Sequence, residues 1–281
     1  MRPATDFEQR LERKLLRLRA NRHWLRVKSL FLPSVVILSH KRSGFQWFRQ
    51  ICHANMKRHV VMPPGARYQH FNVERMPAKN RLQHNGILLV RDGRDVMVSL
   101  YMASTRDGPG GTRRWEGDGT PITFPDFLRA EFMELRNARR DVITRLNPVD
   151  YWAKYNADWL ASPNIVCVVR YERLLEDQRG VIGEVLRAFG YEDGDVEPVE
   201  VELDFDRHSP VGRNIPSGYR RMTTGNWRRI FSAEDEAWFE ERAGATLRAL
   251  GYATRDAGPE PDAVAGAAER ADAGALQAPR S

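Results

Sequence analysis

The sequence predicts an α/β fold in which a central parallel sheet carries helices on both faces. Three observations predict it. Short β-branched or aliphatic runs stand at 34–38, 87–90 and 165–169. A turn built from Arg, Gly, Ser or Asp, or an Arg-Tyr-Glu step, follows each run, and a helical pattern follows each turn. Strands that alternate with helices are joined by crossovers, and crossovers make a sheet parallel. The chain has 281 residues, 42% hydrophobic and 29% charged, which excludes a wholly disordered or collagen-like chain and suffices for one sizeable core.

Residues 1–30 hold nine Lys or Arg against three acids. Asp6 is an N-cap candidate, and Phe7, Leu11, Leu15, Leu18 and Trp24 or Leu25 recur near helical spacing. This is a basic amphipathic helix. It either packs its apolar stripe on the domain or touches a membrane surface. Ser34-Val35-Val36-Ile37-Leu38 reads as a buried strand, Ser39 to Gly44 as a turn, and Phe45 to Met56 as a helix.

A second unit repeats the order. Ile87-Leu88-Leu89-Val90 is a strand, Arg91-Asp92-Gly93-Arg94 a turn, and Asp95 the cap of a helix through Val98, Tyr101 and Met102. Residues 105–121 are a flexible loop. Residues 126–146 and 149–160 read as helical. Ile165-Val166-Cys167-Val168-Val169 is a third buried strand, and the helix after it ends at Gly190. Residues 203–226 form a long loop with Pro210, Pro216, Gly212, Gly218 and Gly225. A last helix runs from Ala233 to Leu250, with Trp238 and Phe239 facing inward. The tail from Thr254 is rich in Ala, Gly, Pro and Asp and has no aromatic residue, which predicts disorder. The expected organisation is a helix at 1–30, an α/β domain at 31–253 and a disordered tail at 254–281.

No apolar run approaches the ~18–20 residues that span a bilayer, and the run near Phe31 is no signal peptide. Cys52 and Cys167 sit in apolar surroundings and read as reduced thiols. The expectation is a cytoplasmic protein. Lys plus Arg is 44 and Asp plus Glu is 37, giving a net charge of +7. That balance favours anionic partners without telling nucleic acid, membrane and phosphorylated small molecules apart.

All three turns lie at the carboxyl ends of strands, where such sheets bind ligands. Arg42-Ser43-Gly44-Phe45-Gln46-Trp47 joins a strand to a helix, so its backbone N–H groups and the helix dipole make an anion site. Gly44 lets the backbone come close to a phosphate, and Arg42 adds a permanent forked charge. The Walker A spacing is absent. Arg91 with Ser99 suits a phosphate dianion. Tyr171 beside Glu172 ends the third strand, and Arg220-Arg221 in a Gly/Thr loop again fits a phosphate. No Asp, Glu and His cluster has metal-ligand spacing.

The four segments together, RSGxxW, R-x7-S, YE and RRxxxGNW in that order, resemble the cytosolic-type sulfotransferase family. Its first motif, P-[KR]-S-G-[TN]-T-W, stands here as Lys41 to Trp47. Its R-[ND]-P-[KR]-D-x-x-x-S stands as Arg91 to Ser99, its Y-E-D-L as Tyr171 to Leu174, and its R-K-G-x-x-G-D-W as Arg220 to Trp227. The resemblance spans most of residues 34–250. It implies a P-loop-like three-layer fold and transfer of a sulfuryl group from 3′-phosphoadenosine 5′-phosphosulfate (PAPS), leaving 3′-phosphoadenosine 5′-phosphate (PAP), with no metal. The backbone of residues 42–47 would hold the 5′-phosphosulfate, with Arg42 on the bridging oxygen. Trp47 would stack on adenine, with Tyr171 near its amine. Arg91, Ser99, Arg220 and Arg221 would hold the 3′-phosphate. His70, 21 residues before Arg91, stands near the family's base position, ahead of His53 and His59. Phe45, Gln46, Tyr68, Gly93, Met222 and Asn226 depart from the family pattern. The acceptor would be a hydroxyl of a carbohydrate, lipid or other small molecule, and no nucleic-acid partner is expected. Two other classes compete: a Mg²⁺-dependent kinase-like transferase, which the absent Walker A spacing opposes, and a non-catalytic basic binding protein, which lacks an aromatic-basic platform.

Overall fold

The computed structural model describes residues 35–56, 72–75, 85–104, 122–137, 139–202 and 224–255. In chain order, β1 (Val35–Ser39) leads into α1 (Phe45–Met56), and β2 (Asn85–Val90) into α2 (Gly93–Ser104). A short α3 (Phe124–Arg129) precedes a hairpin of β3 (Met133–Arg136) and β4 (Val142–Leu146). α4 (Pro148–Leu160) returns to β5 (Ile165–Arg170), which runs straight into α5 (Tyr171–Glu176) and α6 (Gln178–Ala188). A 3-10 turn at Asn226–Arg229 and α7 (Ala233–Ala249) complete the described fold.

β1, β2 and β5 form a parallel sheet in that order, as expected for the α/β class. Successive side chains of a strand point to opposite faces, and two cores follow from that alternation. Leu38, Leu88 and Val90 meet α2, α3, α4 and α7 on one face. Val35, Ile37, Ile87, Leu89 and Val169 meet α1, α5 and α6 on the other. The sheet is thus the middle of three layers. Register decides what the strand ends do. Ser39 is level with Leu89, and Leu89 with Val169. The residues that follow each strand therefore emerge side by side along one edge.

Local chemistry explains the helix ends. Asn147 accepts from the Asp150 N–H at the start of α4, with Pro148 next to it. Ser232 and Asp235 form a reciprocal capping box on α7. α6 stops where Gly190 takes φ 85°, and Gly190 and Tyr191 donate back to Arg187 and Leu186.

Four expectations need correction. Residues 126–146 are not one helix, because α3 ends at Arg129 and a hairpin follows. Buried Met133 and Leu135 alternate with half-exposed Glu134 and Arg136, and β-branched Thr144 and Val142 pair opposite Leu135 and Arg136, with Ile143 at the bulge between them. Asn137 holds the turn by accepting from the Arg139 and Asp141 N–H groups, while Arg140 takes φ 74°. The third strand is half-exposed, with Val168 at 39%, and β5 is an edge of the sheet among the described residues. Asp95 does not cap α2. Asp92 does, accepting from the Arg94 N–H at 2.9 Å. Of the last helix's aromatic pair only Phe239 is buried; Trp238 is half-buried between the guanidinium groups of Arg129 and Arg242. The segments 1–30 and 105–121 and the tail beyond 255 lie outside the described residues. Among the described residues, no helix is long and apolar enough to cross a membrane.

Candidate active site

The three strand ends bring six of the sequence-predicted residues into one cluster. After β1 the chain turns through two left-handed residues, Arg42 (φ 71°) and Gly44 (φ 83°). Only glycine fits at the second. A Cβ on Gly44 would lie 2.3 Å from the Tyr171 ring, so the backbone of this turn rests directly on that ring. Tyr171 is the first residue after β5 and also meets Trp47 edge-on at 6.1 Å. Arg91, the first residue after β2, places its guanidinium 4.9 Å from the centre of the same ring and donates to the Arg42 carbonyl at 3.1 Å. Arg42 in turn donates from Nε to Ser99 Oγ at 2.9 Å. Burial pushes the Tyr171 hydroxyl up to about 12, with Arg91 pulling the other way. The ring is therefore a neutral donor at physiological pH.

Within the turn, side chains divide by direction. Lys41, Arg42 and Gln46 are exposed, whereas Ser43, Phe45 and Trp47 are buried. Phe45 belongs to the core under α1, so it offers an anion only its backbone. The Trp47 indole N–H is committed to the Val201 carbonyl at 2.8 Å. Among the described residues several buried polar side-chain atoms lack a hydrogen-bond partner, and two of them, Ser43 Oγ and Arg91 Nε, lie in this cluster. Buried polar groups are nearly always paired. Here both orphans sit beside a helix N-terminus and two arginines, which is the chemistry of an anion cradle.

Around this cluster lies a second set of residues to which sequence reasoning gave no role in the site. The Glu172 carboxylate accepts from the Asp92 N–H at 3.0 Å and from the Tyr252 hydroxyl at 2.8 Å. Arg94 is 4% exposed and holds both oxygens of Asp92, with Glu240 at 3.6 Å and the Trp227 ring centre at 4.0 Å. Asp95 accepts from the Gly225 and Trp227 N–H groups at 2.7 and 3.1 Å. The alternating charges of Arg91-Asp92-Gly93-Arg94-Asp95 were the available signal; Tyr252 gave none. His40, at the tip of β1, was read only as part of a turn. Its ring is buried against Tyr151 and Tyr155, with Nδ1 2.9 Å from the Lys41 carbonyl. His53 lies nine residues beyond Gly44, about 13 Å down the axis of α1. His70, His59, Arg220 and Arg221 lie outside the described residues. Among the described residues, no group of three or more His, Cys, Asp or Glu could hold a metal ion.

A sulfotransferase-domain family model matches residues 62–251, more than half of the chain. The chain belongs to the sulfotransferase family. The match takes in β2 through α7; β1 and its turn lie upstream and join that body through the β1–β2 pairing. No curated protein matches the chain. Among solved structures, mouse sulfotransferase SULT7A1 complexed with PAP is similar at 16% identity and a TM-score of 0.48, over 80% of this chain and 88% of that one. The sulfotransferase thus keeps its family match in the body of the fold.

Proposed function

We propose that this sulfotransferase takes its sulfuryl group from PAPS and passes it to a hydroxyl acceptor. The observation that carries the reading is the anion cradle at the level strand ends, with the unpaired Ser43 Oγ beside Arg42 and Arg91. In this reading the N–H groups of residues 42–47 and the Ser43 hydroxyl take the 5′-phosphosulfate. Arg91 and Ser99, joined by Arg220 and Arg221, take the 3′-phosphate. Trp47 and Tyr171 border the adenine.

Transfer is in line. The acceptor oxygen bonds to sulfur as the bond from sulfur to the bridging oxygen breaks, and that oxygen keeps the electron pair. The acceptor proton goes to His70, whose neutral imidazole is an apt base near pH 7. Negative charge grows on the bridging oxygen, so Arg42 and the helix N–H groups stabilise the transition state more than the ground state. Carbohydrate, lipid and small alcohol hydroxyls are the acceptor class, and free Cys52 and Cys167 support a cytoplasmic setting.

Calorimetry with PAP tests the donor. Binding is expected in the wild type and about 100-fold weaker in Arg91→Ala; no heat with the wild type overturns the reading. Labelled-sulfate transfer from PAPS to a panel of hydroxyl acceptors tests the base. His70→Ala is expected to keep PAP affinity and lose transfer, and full activity in that variant removes His70 from the role.

A further inference from the structure

The hairpin of β3 and β4 sets two apolar side chains in water between arginines. Every residue from Arg139 to Arg145 is exposed. Strand pairing explains how the two apolar side chains come to share one spot. Thr144 is opposite Leu135 and Val142 is opposite Arg136, which leaves Ile143 as the extra residue of a bulge. In a regular strand Val142 would lie on the face of Thr144 and Leu146, where buried Leu135 and Met133 pair with them. The bulge puts it opposite Arg136 instead, on the outer face with Ile143. Val142 is 42% exposed and Ile143 52%, whereas the other exposed large apolar side chains among the described residues, Val168 and Val199, stand singly.

The charge around this pair is positive. Residues 133–146 hold four arginines and two acids. Both acids are engaged within the hairpin: Glu134 by Arg136 and, at 3.7 Å, by Arg145, and Asp141 by the Asn137 side-chain amide at 3.0 Å. Arg136 also donates to the Arg140 carbonyl at 2.6 Å. Arg139 and Arg140 form no ion pair among the described residues, and both are exposed at the turn that leads into Val142.

An exposed aliphatic pair flanked by cations fits the interface of an anionic bilayer, where aliphatic side chains sink between headgroups and arginines meet lipid phosphates. A strand from another protein would meet a bulged edge, which interrupts the row of peptide groups. Nucleic acid would use the arginines and leave the aliphatic pair in water, since residues 133–146 hold no aromatic ring for a base to stack on. β4 leads into α4, whose first turns set Tyr151 and Tyr155 against His40 at the tip of β1. The hairpin thus stands at the end of the fold that carries the anion cradle.

We propose that this hairpin is a membrane-docking element: Val142 and Ile143 enter the headgroup region of an anionic bilayer, with Arg139 and Arg140 on its phosphates.

Vesicle co-sedimentation of the full chain tests it, with phosphatidylcholine alone and with phosphatidylglycerol added. The wild type is expected to bind only the mixed vesicles, and less as salt rises. Val142→Thr with Ile143→Thr keeps two strand-forming residues and is expected to weaken binding about tenfold. Arg139→Gln with Arg140→Asn, the latter suited to the left-handed φ of 74° at that position, is expected to weaken it about tenfold and flatten the salt dependence. No binding by the wild type, or wild-type affinity in either variant, overturns the proposal. So does a change of oligomeric state in the Thr variant with vesicle binding intact, which would make a second copy the occupant. Amide exchange on the wild type needs no variant to fold: the amides of residues 142–145 are expected to slow when mixed vesicles are added, and unchanged exchange there overturns the docking.

Discussion

The turns after β1 and β2 use similar residues, an arginine and a glycine at the end of a parallel strand, and reach opposite electrostatic states. In the first, two left-handed residues expose Lys41, Arg42 and Gln46 and leave the Ser43 hydroxyl buried and unpaired. In the second, Asp92, Gly93, Arg94 and Asp95 are all buried, and each charge has partners within the protein. Burying unpaired polar groups costs stability. The fold carries that cost at Ser43 in the first turn, and in the second it is confined to Arg91 Nε, since the charges of Asp92, Arg94 and Asp95 are all paired. The unsatisfied turn is the one with capacity left for a ligand, while the satisfied turn is the frame that holds Arg91 and Ser99 in place.

Substitution of Arg94 breaks the frame and has the largest expected effect. Arg94→Met leaves Asp92 and Glu240 without their cation and is expected to cost about 3–5 kcal/mol of stability, lowering the melting temperature by roughly 10 °C. A thermal melt measures it, and a melt within two degrees of wild type would place the frame elsewhere. Ser43→Ala sharpens the contrast from the other side. Removing a buried, unpaired hydroxyl is expected to leave the melt unchanged or raise it slightly while weakening PAP binding about tenfold, near 1.4 kcal/mol. Loss of stability with binding intact would show that the hydroxyl serves the fold.

The smallest effect is a pH dependence. Burial pushes the Glu172 carboxyl above its ordinary 4.5, although the Asp92 N–H and the Tyr252 hydroxyl pull it down. The unfolded chain ionises near 4.5, so folding favours the protonated form. The stabilisation is full below pH 4.5 and is lost as pH rises through the higher folded value. Glu172→Gln has no such dependence. Wild-type stability minus that of Glu172→Gln is therefore expected to fall from pH 4.5 to 7.5, read from melts across that range. A difference that grows with pH would contradict the burial.

Much of this was legible because short motifs and strand periodicity are local. The runs at 34–38, 87–90 and 165–169 and the helix at 45–56 needed only neighbouring residues to declare themselves, and the strands lie within two residues of those bounds. The hairpin at 133–146 did not, because Leu135 and Leu146 also suit a helix and only pairing across the turn at Asn137 decides. Asp95 looked like a cap because Asp is common there; its true partners are 130 residues away. Glu172 and Tyr252 were opaque for the same reason, as nothing near Tyr252 announces a carboxylate. The half-exposed edge of β5 was hidden because an apolar run looks the same at the centre of a sheet and at its rim.

One last feature lies beyond Trp47. Asn55 donates to the Val199 carbonyl at 3.0 Å and accepts from the Val199 N–H at 2.7 Å, while Gln178 does the same for Val201 at 3.3 and 2.7 Å. Two carboxamides thus act as the neighbour that a β-strand would otherwise seek. Unsatisfied extended backbone is the template on which chains recruit one another into aggregates. With both peptide groups of Val199 and of Val201 occupied from within, the side of this stretch that they face is closed to a second molecule, even though the Val199 side chain is 55% exposed.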